Sequence, residues 1–185
     1  MVLTPMKLAT VWLGGCSGCH MSFLDLDEWL VDLATQVDLV YSPLADIKEY
    51  PPGVDIVLVE GAVGNAEHLK TIYTVRERSR ILVSFGDCAV TGNVTALRNP
   101  LGADNVGSIL QRCYIDLADT HPQIPQETGI VPPLLDKVQP VHRIVNVDVY
   151  LPGCPPSATR IRAVLAALLQ GKTPQLVGRE LIKFG

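Results

Sequence analysis

The chain of 185 residues carries a net charge of −4, and 48% of its residues are hydrophobic. Acidic and basic residues are interspersed without a basic stripe, which argues against nucleic acid as a partner. No apolar run approaches the roughly 20 residues of a membrane-spanning helix, and the N-terminus shows no export signal, so we expect a cytoplasmic protein without a membrane span.

Five runs rich in Val, Ile and Leu predict the strands of a single domain that spans residues 1–185. The chain is long enough to bury a core of its own. Because apolar and polar residues do not alternate cleanly in these runs, we expect a parallel sheet that is covered on both faces. The predicted strands are Leu8–Leu13, Val37–Tyr41, Val54–Val59, Ile81–Phe85 and Val145–Leu151.

Two helices are predicted in the first half of the chain. Apolar residues recur at helical spacing after Cys19, and Ser22 with Asp25 resembles a capping pair for that helix. Asn65 is expected to cap a second helix that runs to about Arg78. The residues expected on the inner face of the second helix are Leu69, Ile72 and Tyr73.

A third helix is predicted near the end of the chain, with Ser157 as its cap and Gly171 at its end. Strands that alternate with helices indicate an α/β domain. We therefore expect a flavodoxin-like open parallel sheet with flanking helices. The predicted inner face of the third helix consists of Ile161, Leu165, Leu168 and Leu169.

The alternation breaks between residues 98 and 141, a segment that we call the excursion. It contains six prolines, and only residues 106–112 carry a weak helical signal. A long irregular segment in a compact domain usually serves function or binds a partner. A flexible surface loop is the alternative interpretation.

Four cysteines share one position relative to the predicted strands. Cys16 and Cys19 follow the first strand, Cys88 follows the fourth and Cys154 follows the last. The carboxyl ends of parallel strands meet at one edge of a sheet, where ligands collect. Four thiolates that converge in this way are the ligand set of a 4Fe–4S cluster. We therefore predict one such cluster at this edge.

The residues alone leave other interpretations of these cysteines open. Cys16, Cys19 and His20 match the C-x-x-C-H motif of haem attachment, although that modification normally requires export. A C-x-x-C pair between a strand and a helix is also typical of thiol oxidoreductases, but it would leave Cys88 and Cys154 unexplained. A structural zinc site that staples an interaction subunit would use the same four thiolates.

Three further residues each allow two interpretations from the sequence. Cys113 lies in the excursion, and a free cysteine of this kind is more often a small buried residue than a ligand. His20 adjoins a predicted ligand, where it either donates to the bound group or a partner, or is simply packed and hydrogen-bonded. Glu60 ends a predicted strand, where it either faces the site or pairs with a nearby cation or backbone donor.

Four short sequence blocks lie at or just after predicted strands, and they are Gly14–Cys19, Val59–Ala62, Phe85–Ala89 and Leu151–Pro156. Together these blocks resemble the small subunit of nickel–iron hydrogenases, and in particular the short small subunit of cytoplasmic bidirectional NAD-reducing hydrogenases. Their order and spacing match that family between residues 14 and 156.

The resemblance implies that Cys16, Cys19, Cys88 and Cys154 bind a proximal 4Fe–4S cluster and that this chain contributes no catalytic residue. A hydrogenase large subunit would hold the nickel–iron centre, and iron–sulfur and flavin diaphorase subunits would reduce NAD. The chain would relay electrons between them. A ferredoxin- or deazaflavin-linked hydrogenase is the alternative within the same resemblance. No nucleotide-binding glycine motif is present, so flavin and NAD are expected only in partner subunits.

Overall fold

The structure is a computed structural model that describes residues 5–101 and 105–178. Seven strands and six α-helices alternate along this part of the chain. The strands are β1 (Met6–Trp12), β2 (Val37–Tyr41), β3 (Val54–Glu60), β4 (Val63–Asn65), β5 (Ser79–Phe85), β6 (Leu134–Gln139) and β7 (Val149–Leu151). The helices are α1 (Gly18–Leu24), α2 (Trp29–Ala34), α3 (Ala66–Arg78), α4 (Asp87–Thr91), α5 (Asn105–Gln111) and α6 (Ala158–Leu169).

Five of the strands form one parallel sheet in the order β2-β1-β3-β5-β7. Strand β3 lies at its centre, and residues 57–59 of this strand are fully buried because apolar layers cover both faces. Helices α1 and α6 contribute to one layer, and α3 contributes to the other. The predicted α/β class with an open parallel sheet and flanking helices is confirmed.

The last strand and the first helical segment differ from the prediction in detail. The last strand is confined to Val149–Leu151, which is shorter than the predicted Val145–Leu151. The helix predicted after Cys19 is two short helices, α1 and α2, separated by a turn in which Asp27 has a φ of 50°. Ser22 lies inside α1 rather than at its start, so the predicted capping pair with Asp25 is wrong.

Helix α3 begins as predicted, because the side-chain oxygen of Asn65 accepts a hydrogen bond of 2.8 Å from the backbone N–H of His68. Ile72 and Val75 are completely buried on its inner face. Tyr73 is 53% exposed, so its predicted inward position is wrong. One residue of helix turns the side chain by about 100°, which carries Tyr73 away from the layer that Ile72 enters.

The excursion contains more regular structure than its sequence indicates. Strand β6 pairs antiparallel with β4, and a π-helical turn at Arg112–Asp116 extends α5. The guanidinium of Arg98 donates to the carbonyl oxygen of Leu135, and the side chain of Asn99 bonds both the N–H and the carbonyl of Val138. These bonds join the two ends of the excursion, and the pairing of β6 with β4 attaches it to the main domain. No helix in the described ranges is long and apolar enough to cross a bilayer.

Candidate functional site

The loops that follow β1, β5 and β7 bring four cysteines to one edge of the sheet, which we call the cysteine edge. Cys16 and Cys19 follow β1, Cys88 lies in α4 directly after β5, and Cys154 follows β7. Burial raises the pKa of the Cys19 thiol, and the charges of Glu60 and of the other three cysteines raise it further. The loops that carry the four predicted ligands are joined by hydrogen bonds between Asp87 and Gly153 and between Ser22 and Pro156.

Glycine is required beside Cys19. Gly86 has a φ of 83°, and a Cβ atom at this position would lie 2.1 Å from the Cys19 sulfur. A side chain of any kind would therefore displace that sulfur. At Gly18 the contact is less severe, because a Cβ atom at this position would lie 3.3 Å from the Cys16 sulfur. The backbone thus approaches both thiols closely.

A pair of reciprocal hydrogen bonds joins the loops that carry Cys88 and Cys154. The backbone N–H of Asp87 donates to the carbonyl of Gly153 at 2.9 Å. The backbone N–H of Gly153 donates to the Asp87 carboxylate at 2.7 Å. Each cysteine directly follows one of these two residues, so the pair fixes the spacing between two of the thiols. The peptide bond between Cys154 and Pro155 is cis.

Helix α1 is attached to the loop after β7 through the buried hydroxyl group of Ser22. Ser22 donates a hydrogen bond of 2.6 Å to the carbonyl oxygen of Pro156, two residues after Cys154. Since α1 also carries Cys19, this bond links the first cysteine pair to the last cysteine. The sequence interpretation of Ser22 as a helix cap missed this role.

Glu60 and His20 form a buried pair behind Cys19. Glu60 is 1% exposed and accepts a hydrogen bond of 3.0 Å from the backbone N–H of His20. The same carboxylate oxygen pairs with Nδ1 of the His20 ring. Both interpretations of Glu60 therefore apply, since it pairs with a backbone donor and its charge acts on the site. Nε2 of His20 is buried without a hydrogen-bond partner among the described residues.

The donor set of the cysteine edge suits an iron–sulfur group. The thiols share one sheet edge, and each thiolate raises the pKa of Cys19, so a positively charged metal centre would favour the deprotonated form of all four. Four thiolates are the ligand set of a 4Fe–4S cluster. Between residues 5 and 178, apart from 102–104, no group of three or more His, Cys, Asp or Glu side chains is already arranged around a metal position.

Cys113 lies apart from these four cysteines. It sits in the π-helical turn of the excursion and is exposed, so the expectation of a small buried residue is wrong. The exposure follows from the turn, which extends α5 along the surface rather than into the core.

A cavity of about 500 Å³ lies in the excursion rather than at the cysteine edge. Its wall is largely apolar and includes Val106, Leu110, Tyr114 and Leu134.

Comparison with known proteins identifies relatives over most of the chain. The family model of the NADH ubiquinone oxidoreductase 20 kDa subunit matches residues 16–168. The chain is 39% identical to the NAD-reducing hydrogenase HoxS subunit delta of Cupriavidus necator, over 90% of this chain and 80% of that protein. It is 36% identical to a subunit of the F420-non-reducing hydrogenase vhu of Methanocaldococcus jannaschii, over 95% of this chain. The chain spans about 60% of the length of that archaeal protein.

Solved structures show the same relationship. A chain of an NAD+-reducing [NiFe]-hydrogenase in the H2-reduced state superposes with a TM-score of 0.91 and 38% sequence identity, over 98% of this chain and all of that chain. A [NiFeSe]-hydrogenase of Dm. baculatum matches with a TM-score of 0.59 at 17% identity, which is a likeness of fold alone.

Proposed function

The chain belongs to the NADH ubiquinone oxidoreductase 20 kDa subunit family as a homologue of hydrogenase small subunits, and we propose that it relays electrons within a nickel–iron hydrogenase that reduces NAD. The observation that carries this proposal is the convergence of Cys16, Cys19, Cys88 and Cys154 at one sheet edge. These residues would hold one 4Fe–4S cluster. When bound, such a group accepts and releases one electron at a time.

The residues around the cysteines have separate tasks in this proposal. Gly86 leaves room for the Cys19 sulfur, and the bonds between Asp87 and Gly153 hold two ligand loops at a constant distance. Buried Cys19 faces the apolar layer beneath α1, whereas Cys16 and Cys154 are exposed. The exposed side of the site requires cover by another chain to exclude water and oxidants. The large subunit with the nickel–iron centre is the expected cover.

The proposed electron path ends in other subunits. No residue of this chain is assigned a catalytic role, because hydrogen is split at the nickel–iron centre of the large subunit and NAD is reduced at a flavin-containing diaphorase module. The 39% identity to a subunit of an NAD-reducing hydrogenase, together with the TM-score of 0.91, supports this acceptor over a ferredoxin- or deazaflavin-linked one. The cytoplasm, where NAD is available to such a complex, is the compartment that the proposal implies.

Metal analysis of cysteine variants tests the ligand set. Each of Cys16, Cys19, Cys88 and Cys154 is replaced by Ser, and the protein is purified anaerobically for iron, sulfide and zinc analysis and for electron paramagnetic resonance (EPR) of the reduced state. We expect each of these variants to lose the normal cluster signal. Cys113→Ser is the matched control, because the exposed Cys113 lies in the excursion, and it should keep the signal. A zinc-loaded protein without iron would contradict the proposal.

Two electron-transfer assays on one variant test the relay. In a Cys88→Ser complex with intact assembly, we expect hydrogen-driven NAD reduction to be abolished. Reduction of an artificial dye by NADH should persist, because that route bypasses this subunit. Retained hydrogen-to-NAD turnover would remove the relay role. Iron analysis that finds two clusters in this chain would contradict the expectation of a single cluster.

A further inference from the structure

A side chain outside the ligand set contacts one of the four cysteines. Nδ2 of Asn93 lies 3.4 Å from the sulfur of Cys154 and donates a hydrogen bond to it. The two residues are 61 positions apart in the sequence, so no local pattern predicts this bond. The side-chain NH2 group of an asparagine donates hydrogen bonds but does not accept them, so it can bond a thiolate only as the donor.

Both partners of this bond are anchored to α4. At one end of that helix, Asp87 holds the loop of Cys154 through its bonds to Gly153. At the other end, the helix stops at Gly92, whose N–H donates to the carbonyl of Cys88 at 3.0 Å. Asn93 follows directly, and its own N–H donates to the Thr91 hydroxyl at 3.3 Å. The bond to Cys154 is therefore held by the helix that carries Cys88.

The backbone of Asn93 adopts a conformation that most residues avoid. Its φ is 38°, in the left-handed region that Asn tolerates better than most residues with a side chain. Glycine would adopt this conformation without steric cost. The choice of Asn at this position therefore keeps a donor that glycine lacks.

We propose that Asn93 tunes the redox behaviour of the group bound at the cysteine edge, because it stabilises negative charge on the Cys154 sulfur. Hydrogen bonds to the sulfurs of an iron–sulfur cluster are among the factors that set its reduction potential. Reduction adds an electron to the bound group, so a donor at this sulfur favours the reduced form. This inference rests on the proposed function, since it concerns the same cluster.

Three variants separate the hydrogen bond from the backbone conformation. Asn93→Gly removes the donor and accepts a positive φ, whereas Asn93→Asp keeps the size of the side chain and replaces the donor with a negative charge. Asn146→Gly is the matched control, because Asn146 is an exposed asparagine in the loop before β7. Each variant is purified anaerobically as the assembled complex, and the cluster signal that Cys88→Ser abolishes is titrated by EPR against the ambient potential.

At the midpoint potential of the wild type, we expect the ratio of reduced to oxidised cluster to fall about fivefold in Asn93→Gly, the effect of one net hydrogen bond. The ratio should fall further in Asn93→Asp and stay at the wild-type value in Asn146→Gly. Iron content should be unchanged in all three variants. Unchanged ratios in both Asn93 variants would overturn the tuning role alone, as would loss of the cluster from Asn93→Gly. A wild-type protein without any iron–sulfur signal would overturn both this inference and the proposed function.

Discussion

The cysteine edge buries polar side chains, whereas the excursion exposes apolar ones. At the cysteine edge, polar groups such as Glu60, His20 and Ser22 are buried and joined by side-chain hydrogen bonds. In the excursion, apolar side chains such as Leu117 and Ile130 are exposed. Buried polar groups hold a geometry, whereas exposed apolar groups offer contact area. We therefore predict that one region positions a site and the other contacts a partner.

The largest expected difference concerns one hydrogen-bonded or ionic pair in each region. Glu60→Ala leaves the buried backbone N–H and the ring of His20 without their partner, so we expect a loss of about 1–3 kcal/mol for each of the two in the free energy of unfolding. Asp116→Ala removes the exposed partner of Arg112 in the excursion and should cost below about 0.5 kcal/mol. Urea unfolding of the metal-free chain measures both values. Similar losses in the two variants would break the comparison.

A glycine in each region provides a closely matched pair of substitutions. Gly86 and Gly129 have φ values of 83° and 85°. A Cβ atom at Gly86 would overlap the Cys19 sulfur, whereas a Cβ atom at Gly129 would have no neighbour within 4 Å. Gly129→Ala should therefore lower the free energy of unfolding only by the backbone strain, about 1–2 kcal/mol. Gly86→Ala adds an overlap with the Cys19 sulfur worth a further ~1–3 kcal/mol.

Two measurements distinguish the glycine variants: urea unfolding reports the stability, and iron content reports the loading of the cysteine edge. We expect Gly86→Ala to lower both the stability and the iron content, whereas Gly129→Ala should lower only the stability. An iron content that stays at the wild-type value in Gly86→Ala would show that the Cys19 sulfur can move without consequence, which would contradict the role assigned to Gly86.

The smallest expected effect on stability belongs to the exposed apolar residues of the excursion. Ile130 is 77% exposed, so Ile130→Ser should change the free energy of unfolding by less than about 0.5 kcal/mol. Its effect should appear instead in assembly, as a lower yield of copurified large subunit. Val177→Ser is the matched control, because Val177 is 72% exposed but lies outside the excursion. Equal yields from the two variants would remove the contact role of Ile130.

The strands and the cysteines were predictable from the sequence because both carry local signals. Runs of Val, Ile and Leu mark buried strands, and a cysteine follows three of these strands within a few residues. The pairing of β4 with β6 was not predictable, because a strand of three residues and a proline-rich segment show no periodicity. The expectation that residues 1–185 form a single domain stays a prediction.

Local sequence patterns were enough to establish the α/β class, the edge of the sheet and the four thiols that would meet there. How these thiols are held depends on contacts between distant loops. The bonds from Glu60 to His20, from Asp87 to Gly153 and from Asn93 to Cys154 join residues that are 40, 66 and 61 positions apart. Hydrophobic periodicity reports which face of a segment is buried, but it carries no information about which polar groups of distant loops will meet. Those contacts arise because the loops after parallel strands converge at one edge.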